Sequence, residues 1–227
     1  MKKNSSKLLV KPIVETLYSR TVDVLRQAII EGEFSPGERL IDRELCEKTG
    51  VGRSSIREAL RQLEAEYLIE YKPNCGPTVT QITKQKAKEI YELRFAIESL
   101  GIRLFTKNAS KQAINQLEKT IDKYEIAMKK SDVKNIILFS ENFFQIIFEG
   151  SNNELAFQFS KVLRTRMHFL RALITRKQNN SQRNKYILTF KNIIKKIKTR
   201  NPDTAVQACK KHIDNATSIA FDILSNK

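Results

Sequence analysis

Three arginines recur at intervals of four residues in one short stretch of the chain: Arg53, Arg57 and Arg61. This spacing places their side chains on one side of an α-helix. An apolar row runs along the other side and consists of Ile56, Leu60 and Leu63. A guanidinium group carries its donors in a planar fork that matches the edge of guanine or the oxygens of a phosphate. The stretch therefore predicts a helix that packs through one side and presents the other to a polyanion.

Two serines strengthen this interpretation. Ser54 and Ser55 add hydroxyl groups at the predicted helix start, where free backbone N–H groups also favour phosphate. The alternative is a solvated helix face, in which the arginines pair with Glu58 and Glu64 and no ligand is involved. Both interpretations place the arginines on the surface.

Groups suited to catalysis or metal binding are scarce. The chain has two histidines, His168 and His212, and three cysteines, Cys46, Cys75 and Cys209, none of which form a CxxC pair. An odd number of separated cysteines argues against a disulfide framework or a zinc knuckle. Neither a nucleophile–base arrangement nor a phosphate-binding loop is present, so the sequence predicts a protein that is not an enzyme.

The charge of the chain is unevenly distributed. The net charge is +16 over 227 residues; residues 1–80 contain 13 basic and 12 acidic side chains, whereas residues 81–227 contain 28 and 13. Such an excess suggests a polyanionic partner. The alternative is that the basic excess simply reflects a composition rich in Lys, Asn and Ile and serves no function. We find no apolar run long enough to span a membrane and no signal peptide, and so expect a cytoplasmic protein.

Helical and strand signals divide the chain into two parts. Apolar spacing predicts a helix that stops at Gly32, followed by a turn at Pro36 and Gly37. Asp42 is expected to cap a second helix that ends at Gly50. A third helix is predicted from about residue 54 to residue 66, and two β-prone runs around the loop "PNCG" then predict a hairpin. This order predicts a winged helix-turn-helix.

No strand signal follows residue 83, and amphipathic periodicity predicts an antiparallel bundle of about six helices. The predicted helices are 84–106, 111–130, 132–149, 153–178, 182–200 and 202–224. The predicted fold class is therefore mostly α. The predicted organisation is a flexible basic tail (1–11), a winged helix-turn-helix domain (12–80), a linker (81–86) and a helical domain (84–227).

The first part resembles the winged-helix domain of GntR-family transcription regulators over some 70 residues, in "SPGERL", in "VGRSSIREAL" and in a wing that contains a glycine. The resemblance implies double-stranded DNA as partner. The DNA contacts that it implies are Arg43, Arg53, Ser54, Ser55, Arg57, Gly76 and, on the wing, Lys72. Gly52 departs from the usual Ser or Thr at the start of the third helix, so one hydroxyl that would face phosphate is lost.

The second part resembles the FCD domain, which marks the FadR-like branch of that family. "IYELRFAIESLGIRLF" is similar to its first helix and "NPDTAVQACKKHI" to its last. Most such domains bind a divalent metal through one Asp and three His. The positions that correspond to these ligands are Ser140, Phe144, Phe190 and His212, with Phe143 as the motif phenylalanine. A phenyl ring cannot coordinate a metal, so we expect a degenerate site with no metal and no cofactor.

Two outcomes are open for the bundle interior. The phenylalanines could pack it shut, or they could line a pocket for an apolar or carboxylate-bearing effector whose carboxylate meets Arg94. The alternative role of Arg94 is a structural pair with Glu98. The expected function is a homodimeric transcription regulator, a repressor, that binds a pseudo-palindromic operator and senses a small metabolite. The alternative is an effector-independent DNA-binding dimer.

Overall fold

The computed structural model describes residues 17–225, apart from the side chains of residues 165, 166 and 168. The predicted basic tail, residues 1–11, lies outside this range. The first elements are α1 (Leu17–Glu31), α2 (Asp42–Thr49), α3 (Arg53–Ala65), β1 (Ile69–Lys72) and β2 (Gly76–Val79). They are followed by α4 (Lys84–Asn108), α5 (Lys111–Lys129), α6 (Val133–Glu149), α7 (Glu154–Lys177), α8 (Asn180–Lys198) and α9 (Pro202–Ser225). The predicted fold class is confirmed.

Three extended segments form a small sheet in the winged-helix domain. β1 and β2 pair in antiparallel register from Ile69 opposite Val79 to Lys72 opposite Gly76. The chain before α2 adds a third segment, because the N–H of Leu40 donates to the carbonyl of Pro77 at 2.8 Å. α1 and α3 pack against each other beside this small sheet. The hairpin is thus joined along its β2 edge to the segment that precedes α2.

The start of α2 differs from the prediction that Asp42 caps it. The capping position is Ile41, with an extended backbone and no side-chain hydrogen bond, and Asp42 is the first helical residue. The Asp42 carboxylate instead accepts a hydrogen bond from Arg57 on α3 at 2.8 Å. That prediction was wrong because a contact between helices, which sequence spacing does not reveal, engages the carboxylate.

The bundle helices begin and end within about two residues of their predicted bounds. Five of them begin after a side chain that accepts a backbone N–H of the first turn: Thr83, Ser110, Asp132, Asn153 and Asn179. Such residues satisfy donors that a helix start leaves free. α9 packs against both α4 and α8, and α5 packs against α6 and α8. Within residues 17–225 no helix is both long and apolar enough to cross a membrane.

The two domains meet where α1 ends. Ile30 packs with Ile137 and Ala172 in a small apolar cluster of its own. Arg176 on α7 donates a hydrogen bond to the carbonyl of Ile30, and its guanidinium lies over Gly32. Gly32 has a φ of +80°, and the Cβ of any other residue there would lie 2.8 Å from Nη1 of Arg176. The end of α1 is therefore fitted to α7.

Lysines cover one side of the bundle. Exposed lysines on α5 and α8 include Lys119, Lys123, Lys191, Lys195 and Lys198. Some are balanced by neighbours, since Lys198 pairs with Glu118 at 2.8 Å. The basic excess of the second domain is thus displayed to solvent.

Candidate functional site

Helix α3 separates its apolar and polar residues as the sequence predicts. Its inward side is fully buried and consists of Ile56, Ala59, Leu60 and Leu63. Arg53, Ser54 and Arg57 are exposed at its N-terminal end, and Ser55 is half-buried. Burial of the apolar row fixes the orientation of α3, so its polar N-terminal end projects from the surface of the domain.

The first turn of α3 is open to an anion. Gly52 occupies the capping position in an extended conformation and supplies no side-chain hydrogen bond. The first backbone N–H groups therefore remain available, and the helix dipole favours negative charge there. Within residues 17–225, Arg53 makes no hydrogen bond and no ion pair. A phosphate would meet free donors from both the backbone and Arg53.

Arg57 is engaged across the turn between the two helices. Its Nε donates to Asp42 at 2.8 Å, and this contact raises the pKa of Arg57. The pairing partners proposed from sequence, Glu58 and Glu64, are not the ones observed. Because the Arg57 side chain is largely exposed, the ion pair is weak in water and its guanidinium can exchange partners.

The remaining predicted DNA contacts lie on α2 and the wing. Arg43 is exposed and stands 3.7 Å from Glu47, while Lys72 pairs with Glu70 at 3.2 Å. Gly76 has a φ of +78°, which side chains of L-residues rarely adopt. A glycine is thus required where β2 begins, and it shapes the wing rather than contributing a donor side chain.

The bundle interior contains a buried ion pair. Arg94 is fully buried, and its Nε donates to Glu98 at 2.7 Å. Burial raises the pKa of Glu98, and the adjacent guanidinium opposes that rise. Arg94 also lies 5.5 Å from the ring centre of Phe144 and 5.8 Å from that of Tyr91. The structure therefore places Arg94 in the structural pair that was its alternative role.

His212 is hydrogen-bonded at both ring nitrogens. Nη2 of Arg94 lies 3.1 Å from Nε2, and the hydroxyl of Thr189 lies 2.8 Å from Nδ1. A guanidinium can only donate, so Nε2 accepts and Nδ1 carries the proton. The Thr189 hydroxyl is then free to donate to the carbonyl of Tyr186 at 2.6 Å. Burial and the positive charge of Arg94 lower the pKa of His212 well below its ordinary value, and the ring is neutral.

Aromatic rings fill the space around His212. The Phe190 ring centre lies 4.2 Å from that of His212 and 4.8 Å from that of Phe143. Phe143 and Phe144 meet edge to face at 5.2 Å. The structure thus brings together Phe143, Phe144, Phe190, His212 and Arg94, as the sequence predicts for one interior site. Ser140 is fully buried on the same helix as Phe143, and its hydroxyl has no hydrogen-bond partner.

These residues do not fit a metal ion. The Nε2 lone pair of His212 faces a guanidinium, which occupies it and repels a second cation. The rings of Phe144 and Phe190 pack beside the imidazole, and its Nδ1 faces the Thr189 hydroxyl. Among the residues that the structure describes, no three His, Cys, Asp or Glu side chains come together in a way that could hold a metal.

A second interior arginine was not singled out from the sequence. Arg171 on α7 has only 9% of its surface exposed, and its Nε lacks a hydrogen-bond partner. It lies in a helical row with Met167, Ile174 and Gln178 that lines a cavity of about 20 Å³. The sequence feature that could have indicated its burial is the position of Arg171 in a helical row of otherwise uncharged residues. Because α7 contains many other basic side chains, this feature does not stand out.

Comparison with known proteins agrees with this architecture. The model of the family "Bacterial regulatory proteins, gntR family" matches residues 17–79, and that of the FCD domain matches residues 89–215. The HTH-type transcriptional regulator YdhC of Bacillus subtilis is 28% identical over 200 residues, covering 87% of this chain and 88% of YdhC. The gluconate operon transcriptional repressor of Bacillus licheniformis is 24% identical over 204 residues, which are 88% of this chain and 83% of that protein.

A solved structure has the same fold along nearly the whole chain. The Escherichia coli protein McbR/YncC superimposes with a TM-score of 0.75 at 22% identity, over 92% of this chain and 99% of that one. The FCD match alone covers more than half of the chain, and the winged helix matches the gntR family in the expected place. The chain therefore belongs to the GntR family of bacterial transcription regulators and carries an FCD domain behind its DNA-binding winged helix.

Proposed function

We propose that the protein is a homodimeric transcription repressor that binds a pseudo-palindromic operator in the cytoplasm through the N-terminal end of α3. The observation that carries the proposal is the first turn of α3, where exposed Arg53 and uncapped backbone N–H groups stand above a fully buried apolar row. A rigid helix end with free donors suits entry into the major groove. The repressor role is supported by the name of the gluconate operon repressor.

The homodimer is supported by an apolar row on the outside of α7. Leu155, Phe159 and Val162 follow one another at helical spacing and are 66%, 63% and 61% exposed. Single exposed apolar residues are ordinary, but three on one helix face form a surface that water disfavours. A two-fold axis through this face would pair the row with itself and would present two winged helices to the two halves of an operator.

Two observations bear on whether the protein senses an effector, and they point in opposite directions. The rings around Phe190 fill the space beside His212, which supports an effector-independent dimer. Buried polar atoms without partners nevertheless remain in the same interior, namely Nη1 of Arg94, Oε2 of Glu98 and the Ser140 hydroxyl. Unpaired buried polar groups cost free energy, which favours a ligand that completes them. Control by an effector is therefore part of the proposed function.

The experiment begins by selecting an operator from random duplexes with the full-length protein. Affinities are then measured by fluorescence anisotropy at one fixed salt concentration. Arg53→Ala and Arg57→Ala should each weaken operator binding by roughly 1–3 kcal/mol if they contact bases. Lys72→Ala on the wing should weaken binding less and to a similar degree on all duplexes.

The matched control is Arg103→Ala, which removes an exposed arginine from α4 in the other domain. It should leave operator affinity unchanged. Operator binding that survives both α3 substitutions would refute the assignment of the interface, provided that circular dichroism shows the variants to be folded.

A further inference from the structure

The hairpin of the winged helix has two faces with different side chains. Residues two apart along a β-strand point to the same face of the sheet. On β1, Glu70 and Lys72 share one face, where their side chains pair at 3.2 Å. Ile69 and Tyr71 share the other face. Lys72, the wing residue singled out from the sequence, therefore lies on the opposite face of β1 from Tyr71.

The face that carries Ile69 and Tyr71 is turned towards α3. Strand β1 packs on α3, and Ile69, only 2% exposed, belongs to the same core cluster as Leu60 and Leu63 of that helix. Tyr71 follows two residues later on this face, and 44% of its surface is exposed. The side chain of Tyr71 thus continues the buried row past the edge of the core and reaches the surface beside α3.

Charged side chains of α2 and α3 lie near the Tyr71 hydroxyl. Partial burial raises the pKa of this phenol, and the charges that also act on it are those of Glu64, Asp42, Arg61 and Arg57. The phenol therefore keeps its proton at neutral pH and can donate a hydrogen bond. In the part of the chain that the structure describes, the hydroxyl makes no hydrogen bond. A free donor thus stands beside the arginines of α3.

The position of Tyr71 alongside α3 determines which part of a duplex it meets. An α-helix with its side chains is about 10–12 Å across, and the major groove of B-DNA is about 12 Å wide. A helix that enters the groove therefore fills it, and the two phosphate backbones border the helix on either side. A group that projects from β1 beside the helix faces one of these backbones. Phosphate oxygens accept hydrogen bonds, and tyrosine is among the side chains that donate to them.

We propose that the Tyr71 hydroxyl donates a hydrogen bond to a backbone phosphate where the duplex passes between α3 and the hairpin. This inference rests on the proposed function, which puts the N-terminal end of α3 in the major groove. The contact fixes the position of the duplex and carries no sequence information, because the phosphate is the same at every base pair. Tyr71 is an uncharged donor, and this property separates its contribution from those of Arg57 and Lys72.

The test is Tyr71→Phe, which removes the hydroxyl and keeps the ring. Anisotropy with the full-length protein measures affinity for the selected operator and for operators with single base-pair changes, each at several salt concentrations. We expect affinity to fall roughly threefold to tenfold, as for the loss of one hydrogen bond, and by the same factor on every duplex. The slope of log affinity against log salt concentration should stay unchanged, because the substitution removes no charge.

Two further variants separate a direct contact from an indirect one. Tyr18→Phe removes another exposed hydroxyl from the same domain, on α1, and should leave operator affinity unchanged. If Tyr71 acted only by orienting Arg57, its substitution would lower the salt slope by about 1 and would have no effect once Arg57 is alanine. A direct donor instead weakens binding by the same factor in the Arg57→Ala background. The melting temperature of Tyr71→Phe should equal that of the unchanged protein.

Three results would overturn the inference: an operator affinity that Tyr71→Phe leaves unchanged, a loss that depends on the base pairs of the operator, or a loss that disappears in the Arg57→Ala background. Operator binding that Arg53→Ala weakens and Tyr71→Phe does not contradicts this inference alone. A protein that selects no operator contradicts the proposed function and, with it, this contact.

Discussion

At the scale of single residues, the contact between Asp42 and Arg57 lies within the proposed DNA interface. The carboxylate holds the guanidinium at 2.8 Å and stands at the same surface as Arg53. Arg57 therefore has its ion-pair partner on the neighbouring helix α2. A carboxylate at a DNA interface also repels phosphate, by about 1 kcal/mol at 4 Å in water.

We expect Asp42→Asn to raise affinity for random duplexes by roughly threefold to tenfold and to raise operator affinity less. The variant loses the repulsion, and Arg57 becomes free to reach any nearby phosphate. Anisotropy with an operator and a scrambled duplex measures the ratio of the two affinities. Asp122→Asn on α5 makes the same change of charge far from α3 and should alter neither. An unchanged affinity for the scrambled duplex would contradict this role of Asp42.

Some of these residues could be predicted from sequence, and others could not. The exposed side of α3 follows from helical spacing, because a residue's place on one helix depends only on its neighbours in the chain. The partner of Arg57 and the burial of Arg171 depend on how separate helices pack, which spacing within one helix does not contain. The ring cluster was predicted only because its positions correspond to those of metal ligands in relatives.

At the scale of elements, α7 has three different faces. One is the exposed apolar row of Leu155, Phe159 and Val162; another lines the cavity at Arg171; a third holds α1 through Ala172 and Arg176. Helix bounds were predictable because capping residues such as Asn153 mark them. The division of α7 into faces could not be predicted, since it depends on which helices pack against each side of α7.

The exposed row should be the dimer contact. We expect Phe159→Glu to convert the protein to a monomer at micromolar concentration, because a carboxylate would then meet its own copy across the two-fold axis. Sedimentation velocity measures the change. Leu188→Glu on α8 is the matched control, since Leu188 is also 66% exposed but has no exposed large apolar neighbour on its helix. A Phe159→Glu protein that sediments as the unchanged protein does would contradict the interface.

At the scale of the whole molecule, substitutions at two glycines can measure how much the contact between the domains contributes to stability. Gly32 and Gly50 have φ values of +80° and +70°, but an added Cβ meets Arg176 only at residue 32. Gly50→Ala should therefore lower the free energy of unfolding only by the strain of placing alanine at a positive φ, about 1–2 kcal/mol. Gly32→Ala should cost more, and the difference reports the contact with α7.

Chemical denaturation of single and double variants tests this prediction. Arg176→Met replaces the guanidinium over residue 32 with a flexible side chain, so Gly32→Ala should cost less in that background than in the unchanged protein. Gly50→Ala should cost the same in both backgrounds. Additive effects of Gly32→Ala and Arg176→Met would show that the two domains are not coupled at this point.

We expect the exposed lysines on α5 and α8 to affect how fast the protein reaches DNA. Residues 1–80 are almost neutral, so most of the net positive charge lies in the bundle, and at physiological salt it acts over about one Debye length, roughly 8 Å. Electrostatic attraction raises the rate of encounter with a polyanion and depends strongly on ionic strength. In the proposed interface, the residence time on an operator depends instead on contacts made by α3. This proposal divides arrival and recognition between the two domains, and salt is then expected to slow arrival even where the contacts of α3 are unaltered.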